Sequence, residues 1–178
     1  AQPLPEAGCR GVAVHPTGRY AAAATKGALH LLSLGEKGEI QHLLAFGKGS
    51  GAPYTCAALH PDGLILATGR EDGTLTMWDL RTQSLVATLE GHAAPLTALA
   101  CSENGYHVAS AAADGAVILW DLRKLQKAGS FEAADPDVPT TALGFDPAGR
   151  YLAYGGEGGT VAVASVKDGK KMVRVETG

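Results

Sequence analysis

A pattern returns four times along these 178 residues, and a chain that repeats itself at a fixed period has few folds open to it. The segments VAVHPTGRYAAAAT, AALHPDGLILATG, ALACSENGYHVASA and ALGFDPAGRYLAYG align on the turn glycines Gly18, Gly63, Gly105 and Gly149, spaced 45, 42 and 44 residues apart. Each is followed by a second shared stretch: KGALHLLSL, DGTLTMWDL, DGAVILWDL and GGTVAVASV. A period of ~40–45 residues with four short strands is that of a β-propeller blade, a unit that buries its apolar face only against a neighbour.

The third unit shows the division most clearly. An apolar strand, Leu96 to Ala100, runs into the turn Ser102-Glu103-Asn104-Gly105, and a second strand covers Tyr106 to Ser110. Asp114-Gly115 makes a hairpin, because both residues tolerate positive φ. A third strand spans Ala116 to Trp120 and a fourth lies around Gly129 to Phe131. Repeated four times, this predicts sixteen strands and essentially no helix, in blades over 1–50, 51–91, 92–134 and 135–178. Ala21 to Ala24 and Ala111 to Ala113 favour helix by propensity, but they fill the slot of LATG and LAYG in the sister repeats, so register overrides that preference. The loosest stretches, Gly47 to Pro53 and Asp135 to Pro139, fall between blades.

Composition agrees with this reading. Gly accounts for 24 residues, as many tight turns require. No apolar run approaches the ~20 residues of a bilayer-crossing helix, so no membrane partner is expected. The net charge of -3 and pI near 6.1 offer no basic field, so direct binding of nucleic acid is not expected. Cys9, Cys56 and Cys101 are too widely spaced for a disulfide framework or a metal knuckle. Cys56 and Cys101 read as small core hydrophobes, which suits a reducing compartment. The chain begins at Ala1 and reads as a piece of a longer protein, in which a targeting signal could lie elsewhere.

The third unit also holds Gly91-His92, Ser110, Asp114 and Trp120. His, Ser and Asp together invite comparison with a hydrolase. Their spacing instead suits the structural tetrad of a WD40 blade, a buried hydrogen-bond chain that satisfies the indole N–H and the imidazole. The second unit has Thr68, Asp72 and Trp78 at the same spacing, with no Gly-His before it. The first and fourth lack both Asp and Trp, and Gly158 stands where the Asp belongs. Those two blades read as degenerate, held by packing alone and softer. No catalytic residue, cofactor or metal site is expected. His15, His30, His42, His60 and His107 do not cluster at ligand spacing, and His15 and His60 frame turns before Pro. Phe46 to Gly51 (FGKGSG) lacks the P-loop spacing, and Gly155 to Gly159 is a turn. Arg123, Lys124 and Lys127 are candidate partner contacts in a basic loop, and Lys167 to Lys171 is a hairpin with exposed lysines.

Together, LHPDGLILATGREDGTLTMWDL, GHAAPLTALACSENGYHVASAAADGAVILWDLRKL and AGRYLAYGG carry more than repeat punctuation. This chain resembles the propeller of the pre-mRNA-processing factor 19 family, most closely from Thr55 to Leu125. The resemblance implies blades from the later half of a seven-bladed WD40 ring, which cannot close without the others and leaves strand edges open. It implies a nuclear, spliceosomal U-box ubiquitin ligase that scaffolds the nineteen complex and is linked to DNA repair. In that family the ubiquitin-conjugating enzyme is recruited by the U-box, tetramers form through a coiled coil, and the propeller takes substrates and partners. The tetrad carries over at His92, Ser110, Asp114 and Trp120. No catalytic residue does, because the U-box is not in this sequence. The alternative is a non-enzymatic WD40 adaptor of another complex.

Overall fold

The computed structural model describes residues 8–135, 138–169 and 171–176, the side chains of 171 and 172 excepted. Pro136 and Asp137 of the second inter-blade loop, and Lys170 of the lysine-rich turn, lie outside the described residues. The strands are β1 (Cys9–Val14), β2 (Tyr20–Thr25), β3 (Leu29–Leu34), β4 (Ile40–Phe46), β5 (Tyr54–Leu59), β6 (Ile65–Arg70), β7 (Leu75–Asp79), β8 (Ser84–Leu89), β9 (Leu96–Cys101), β10 (His107–Ala112), β11 (Val117–Asp121), β12 (Gln126–Phe131), β13 (Thr140–Phe145), β14 (Tyr151–Gly156), β15 (Thr160–Ser165) and β16 (Lys171–Glu176). They form four antiparallel sheets of four consecutive strands each, β1–β4, β5–β8, β9–β12 and β13–β16. No helix occurs among the described residues.

The sheets stack through their faces. The first strands β1, β5, β9 and β13 lie side by side along the inner edge of the arc. Three apolar clusters fill the gaps between successive sheets. Leu29, Phe46, Tyr54, Leu66 and Trp78 join the first and second blades. Leu75, Met77, Leu96, Val108 and Trp120 join the second and third. Leu119, Phe131, Leu152 and Tyr154 join the third and fourth. The core therefore lies between repeats, where each blade supplies half of a packed interface.

Register explains the alanine runs. Ala21 to Ala24 form the middle of β2 and are at most 4 % exposed. Ala111 and Ala112 occupy the same place in β10, while Ala113 lies in the exposed turn beyond it. The second strands β2, β6 and β10 are buried along almost their whole length, while Ala153 of β14 is exposed, so small side chains there allow the neighbouring sheets to approach. Each third-to-fourth strand pair carries a bulge at the same register, between Leu31/Leu32, Met77/Trp78, Leu119/Trp120 and Val163/Ala164.

The turns after the first strands lock blade to blade. The ring nitrogen Nε2 of His60 lies 2.9 Å from the carbonyl oxygen of Gly105 in the next blade. His15 sits against Gly63, where an added Cβ would meet its Nε2 at 2.1 Å. Gly63 also has φ +75°, so both backbone and space demand glycine there. At the next junction Ser102 and Asn104 press on Gly149. The end blades turn apolar side chains outward: Val12, Val14 and Ile40 on the first, and Val161, Val173 and Val175 on the fourth.

Candidate functional site

The polar group that the sequence singled out in the third blade comes together around one hydroxyl. Ser110 is fully buried in the middle of β10. Its Oγ accepts the indole N–H of Trp120 at 2.7 Å and lies 2.6 Å from Nε2 of His92. A hydroxyl that shares its lone pairs and proton with an indole and an imidazole is satisfied, and it is no nucleophile open to a substrate. Asp114 does not close this chain, contrary to the four-membered expectation. It is exposed, and its Oδ1 accepts the N–H of Ala116 at 3.1 Å. A short carboxylate in an Asp-Gly turn finds a backbone donor two residues on, and that local bond captures it. The Nδ1 of His92 is consequently buried without a partner. Burial holds the His92 pKa below its ordinary value, with the Asp114 charge pulling the other way.

The second blade is wired differently. The Trp78 indole donates to Thr76 Oγ1 at 3.2 Å, and Thr76 Oγ1 lies 2.7 Å from Thr68 Oγ1. Thr76 sits opposite Thr68 in the register, where the third blade has Ile118 opposite Ser110. The sequence reading missed it because the tetrad pattern has no hydroxyl at that position. Asp72, like Asp114, serves its own turn and accepts from the Thr74 N–H and hydroxyl.

The outer blades do not depend on packing alone. In the first, His30 is fully buried, with Nε2 3.3 Å from Thr25 Oγ1 and Nδ1 3.0 Å from His42 Nε2. In the fourth, Tyr154 occupies the Ser110 position, and its hydroxyl donates to the Glu132 carbonyl at 2.7 Å. Burial raises the Tyr154 pKa to about 12. Cys56 is buried and Cys101 partly so, with thiol pKa values pushed up to about 11 and about 12 by burial, and Cys9 is exposed.

An open cleft of about 780 Å³ runs between the third and fourth blades, lined among others by His107, Gly129, Ser130, Arg150 and Tyr151. It exists because β12 is thin. Gly129 lies opposite Leu119, where the sister blades place Ala87 and Leu44, and a Cβ on Gly129 would meet nothing within 4 Å. The His107 Nδ1 is buried without a partner. Burial depresses its pKa.

The basic turn stands near this cleft. Arg123 is engaged: it pairs in two places with Asp121, at 3.1 and 2.8 Å, and lies over the Tyr106 ring at 4.7 Å. That pairing holds the Asp121 carboxyl down at about 2. Lys124 and Lys127 are exposed. Between them Leu125 is 46 % exposed at φ +51°, a left-handed conformation that costs a non-glycine residue ~1–2 kcal/mol. The other three blades also put their matching turn residues, Gly38, Gln83 and Gly169, in left-handed conformations. Among the described residues, no group of three or more His, Cys, Asp or Glu is placed to hold a metal ion.

Comparison with known proteins agrees with this architecture. Residues 4–178 match the family described as nucleolar protein 10-like, N-terminal domain, a β-propeller. The chain is 45% identical over 158 residues to pre-mRNA-processing factor 19 of Oryza sativa subsp. japonica, covering 88% of this chain and 29% of that protein. It is 40% identical over 151 residues to pre-mRNA-processing factor 19 of Bos taurus (85% and 30%) and 44% identical over 162 residues to that of Caenorhabditis elegans (91% and 32%). The chain thus spans about three tenths of the length of these relatives.

Proposed function

This chain belongs to the nucleolar protein 10-like, N-terminal domain family of β-propellers, and from that premise we propose that it is the partner-recruiting part of a propeller in a nuclear pre-mRNA-processing protein. The observation that carries the reading is the cleft between the third and fourth blades, kept open by Gly129 and flanked by a basic turn that presents Leu125 in a strained conformation. Among the four matching left-handed turn positions, Gly38, Gln83, Leu125 and Gly169, Leu125 alone is apolar and it is 46 % exposed, and blades stacked through their faces present that surface rigidly. The 40–45% identity to proteins named pre-mRNA-processing factor 19 supports assigning it to splicing.

The fuller reading is a U-box ubiquitin ligase that scaffolds the nineteen complex in splicing and DNA repair. Ubiquitin transfer, capture of the conjugating enzyme and tetramer formation would then belong to a U-box and coiled coil elsewhere in the protein. The propeller would bring substrates and complex subunits. The matched family's description, nucleolar protein 10-like, differs from the name of these relatives and keeps a second reading in view, a non-enzymatic WD40 adaptor of another complex. Affinity purification of the full-length protein from nuclear extract, wild type beside Gly129→Leu, tests these readings. Splicing proteins and U-box peptides from the bait are expected, and Gly129→Leu should lose a subset of partners while keeping the fold. A bait without U-box peptides sinks the ligase reading, and an unchanged partner set with Gly129→Leu sinks the cleft.

A further inference from the structure

The loop between β4 and β5 holds a cation that the fold leaves without a carboxylate. Arg70, at the end of β6, is only 2 % exposed. Its guanidinium lies 4.6 Å from the Tyr54 ring centre and lies under the loop. Nη1 donates to the carbonyls of Ser50 and Ala52 at 2.9 and 3.2 Å, and Nη2 to the hydroxyls of Ser50 and Tyr54 at 2.8 and 3.3 Å. All of these acceptors are neutral. Among the described residues no Asp or Glu oxygen lies within ion-pair distance of Arg70, and its Nε is buried without an acceptor. The nearby Asp72 is exposed and bound to Thr74, and it feels the Arg70 charge without touching the guanidinium. A buried charge with no carboxylate in contact is costly, and an anion bound over the loop would add favourable charge to it.

The loop above is shaped to receive one. Gly47, Gly49 and Gly51 have φ of +66°, +64° and +135°, while Lys48 and Ser50 between them remain on the negative side. Alternation of backbone hand points successive N–H groups into a common concavity, an arrangement that binds anions. The amides of Lys48, Gly49, Gly51 and Ala52 donate to no backbone or side-chain acceptor among the described residues. A cavity of about 290 Å³ lies against this loop, lined by Lys26, Gly47, Gly49, Ser50 and Gly51 among others; Lys48 is exposed between two of these glycines, and Arg70 is buried behind the lining. The equivalent connection in the third blade is Gly91-His92, whose His closes inward onto Ser110. Here the chain has Gly47-Lys48 instead, with Gly47 packed on Trp78 as Gly91 packs on Trp120, and the cation stays outside.

We propose that the Gly47 to Pro53 loop, with Arg70 beneath it and Lys26 and Lys48 at its rim, binds a single oxyanion carried by a partner protein segment, a phosphorylated side chain or a carboxylate. The small cavity favours one anionic group over a polyanion, and the overall charge of -3 does not favour a nucleic-acid track. This proposal does not depend on the cleft between the third and fourth blades.

The test is an amide NMR titration of the 178-residue chain with inorganic phosphate, with sodium acetate, and with a single-stranded oligonucleotide, at constant ionic strength. Saturable shifts at Lys48, Gly49, Gly51 and Ala52 are expected with a dissociation constant on the order of millimolar, as suits one exposed ionic group. Tighter binding of phosphate than acetate assigns the source to a phosphorylated segment, and equal binding to a carboxylate. The double substitution Lys26→Ala/Lys48→Ala alters exposed side chains only and should weaken phosphate binding about fivefold. The proposal fails if these amides show no saturation, if the double variant binds phosphate as well as the wild type, or if the oligonucleotide binds more tightly with shifts spread over several blades.

Discussion

Ser110→Ala should be the most damaging single-atom deletion in the third blade. The hydroxyl accepts the Trp120 indole N–H at 2.7 Å and contacts His92 at 2.6 Å, in a strand position with no solvent exposure. Removing it leaves the indole donor buried and unpaired, and His92 loses its one hydrogen-bond partner. An orphaned buried polar group costs about 1–3 kcal/mol, and His92 is only part-buried, so the sum is about 3 kcal/mol. Urea unfolding followed by tryptophan fluorescence should lower the midpoint by about 1–3 M, given m-values of about 1–3 kcal/mol/M. Two controls fix the cause. Thr68→Val should cost only about 1 kcal/mol, because Trp78 donates to Thr76 and keeps its acceptor. His92→Ala should also cost less than Ser110→Ala, since Trp120 keeps Ser110 and an unpaired Nδ1 is removed. Adding Trp120→Phe to Ser110→Ala should recover part of the loss, because it removes the buried indole donor and leaves only the part-buried His92 without its partner. The reasoning is refuted if Ser110→Ala and Thr68→Val shift the midpoint equally, or if His92→Ala costs as much as Ser110→Ala.

Three further expectations follow from the same geometry. Burial lowers the pKa values of His92 and His107 from 6.5, so the unfolded chain binds protons more readily. Stability should be full above the unfolded value and decline as pH falls below about 6.5. His92→Ala should flatten part of that slope in urea midpoints taken from pH 8 to pH 5, and an unchanged slope would reject it. Gly63→Ala should destabilise more than Gly18→Ala. Both glycines have positive φ, but only at Gly63 would the Cβ meet a neighbour, His15, and His15→Ala should return the excess in a double-mutant cycle. Leu125→Gly should raise stability by about 1 kcal/mol by relieving the left-handed strain, while reducing partner recovery in pull-downs. A stabilised variant with full recovery would remove Leu125 from the interaction surface.

The repeat alone determined the architecture. A spacing of 45, 42 and 44 residues between turn glycines leaves each unit with an apolar face that only a neighbour can cover, so sixteen strands in four stacked sheets were legible without coordinates. That period also overrode the helical propensity of Ala21 to Ala24, because position in the repeat decides which strand is covered on both faces. What the sequence could not supply was the direction of individual polar bonds. Asp114 and Asp72 match the tetrad spacing, yet a carboxylate in a tight turn meets the nearest backbone N–H first, and both are held there. Thr76, His30 and Tyr154 took up polar roles that no spacing rule assigns, since cross-strand register decides which hydroxyl or imidazole faces which neighbour. The cleft at Gly129 and the cation beneath the Gly47 loop arise only in three dimensions. One depends on a side chain absent from an outer strand, and the other on Arg70 reaching back under a loop 20 residues earlier in the chain.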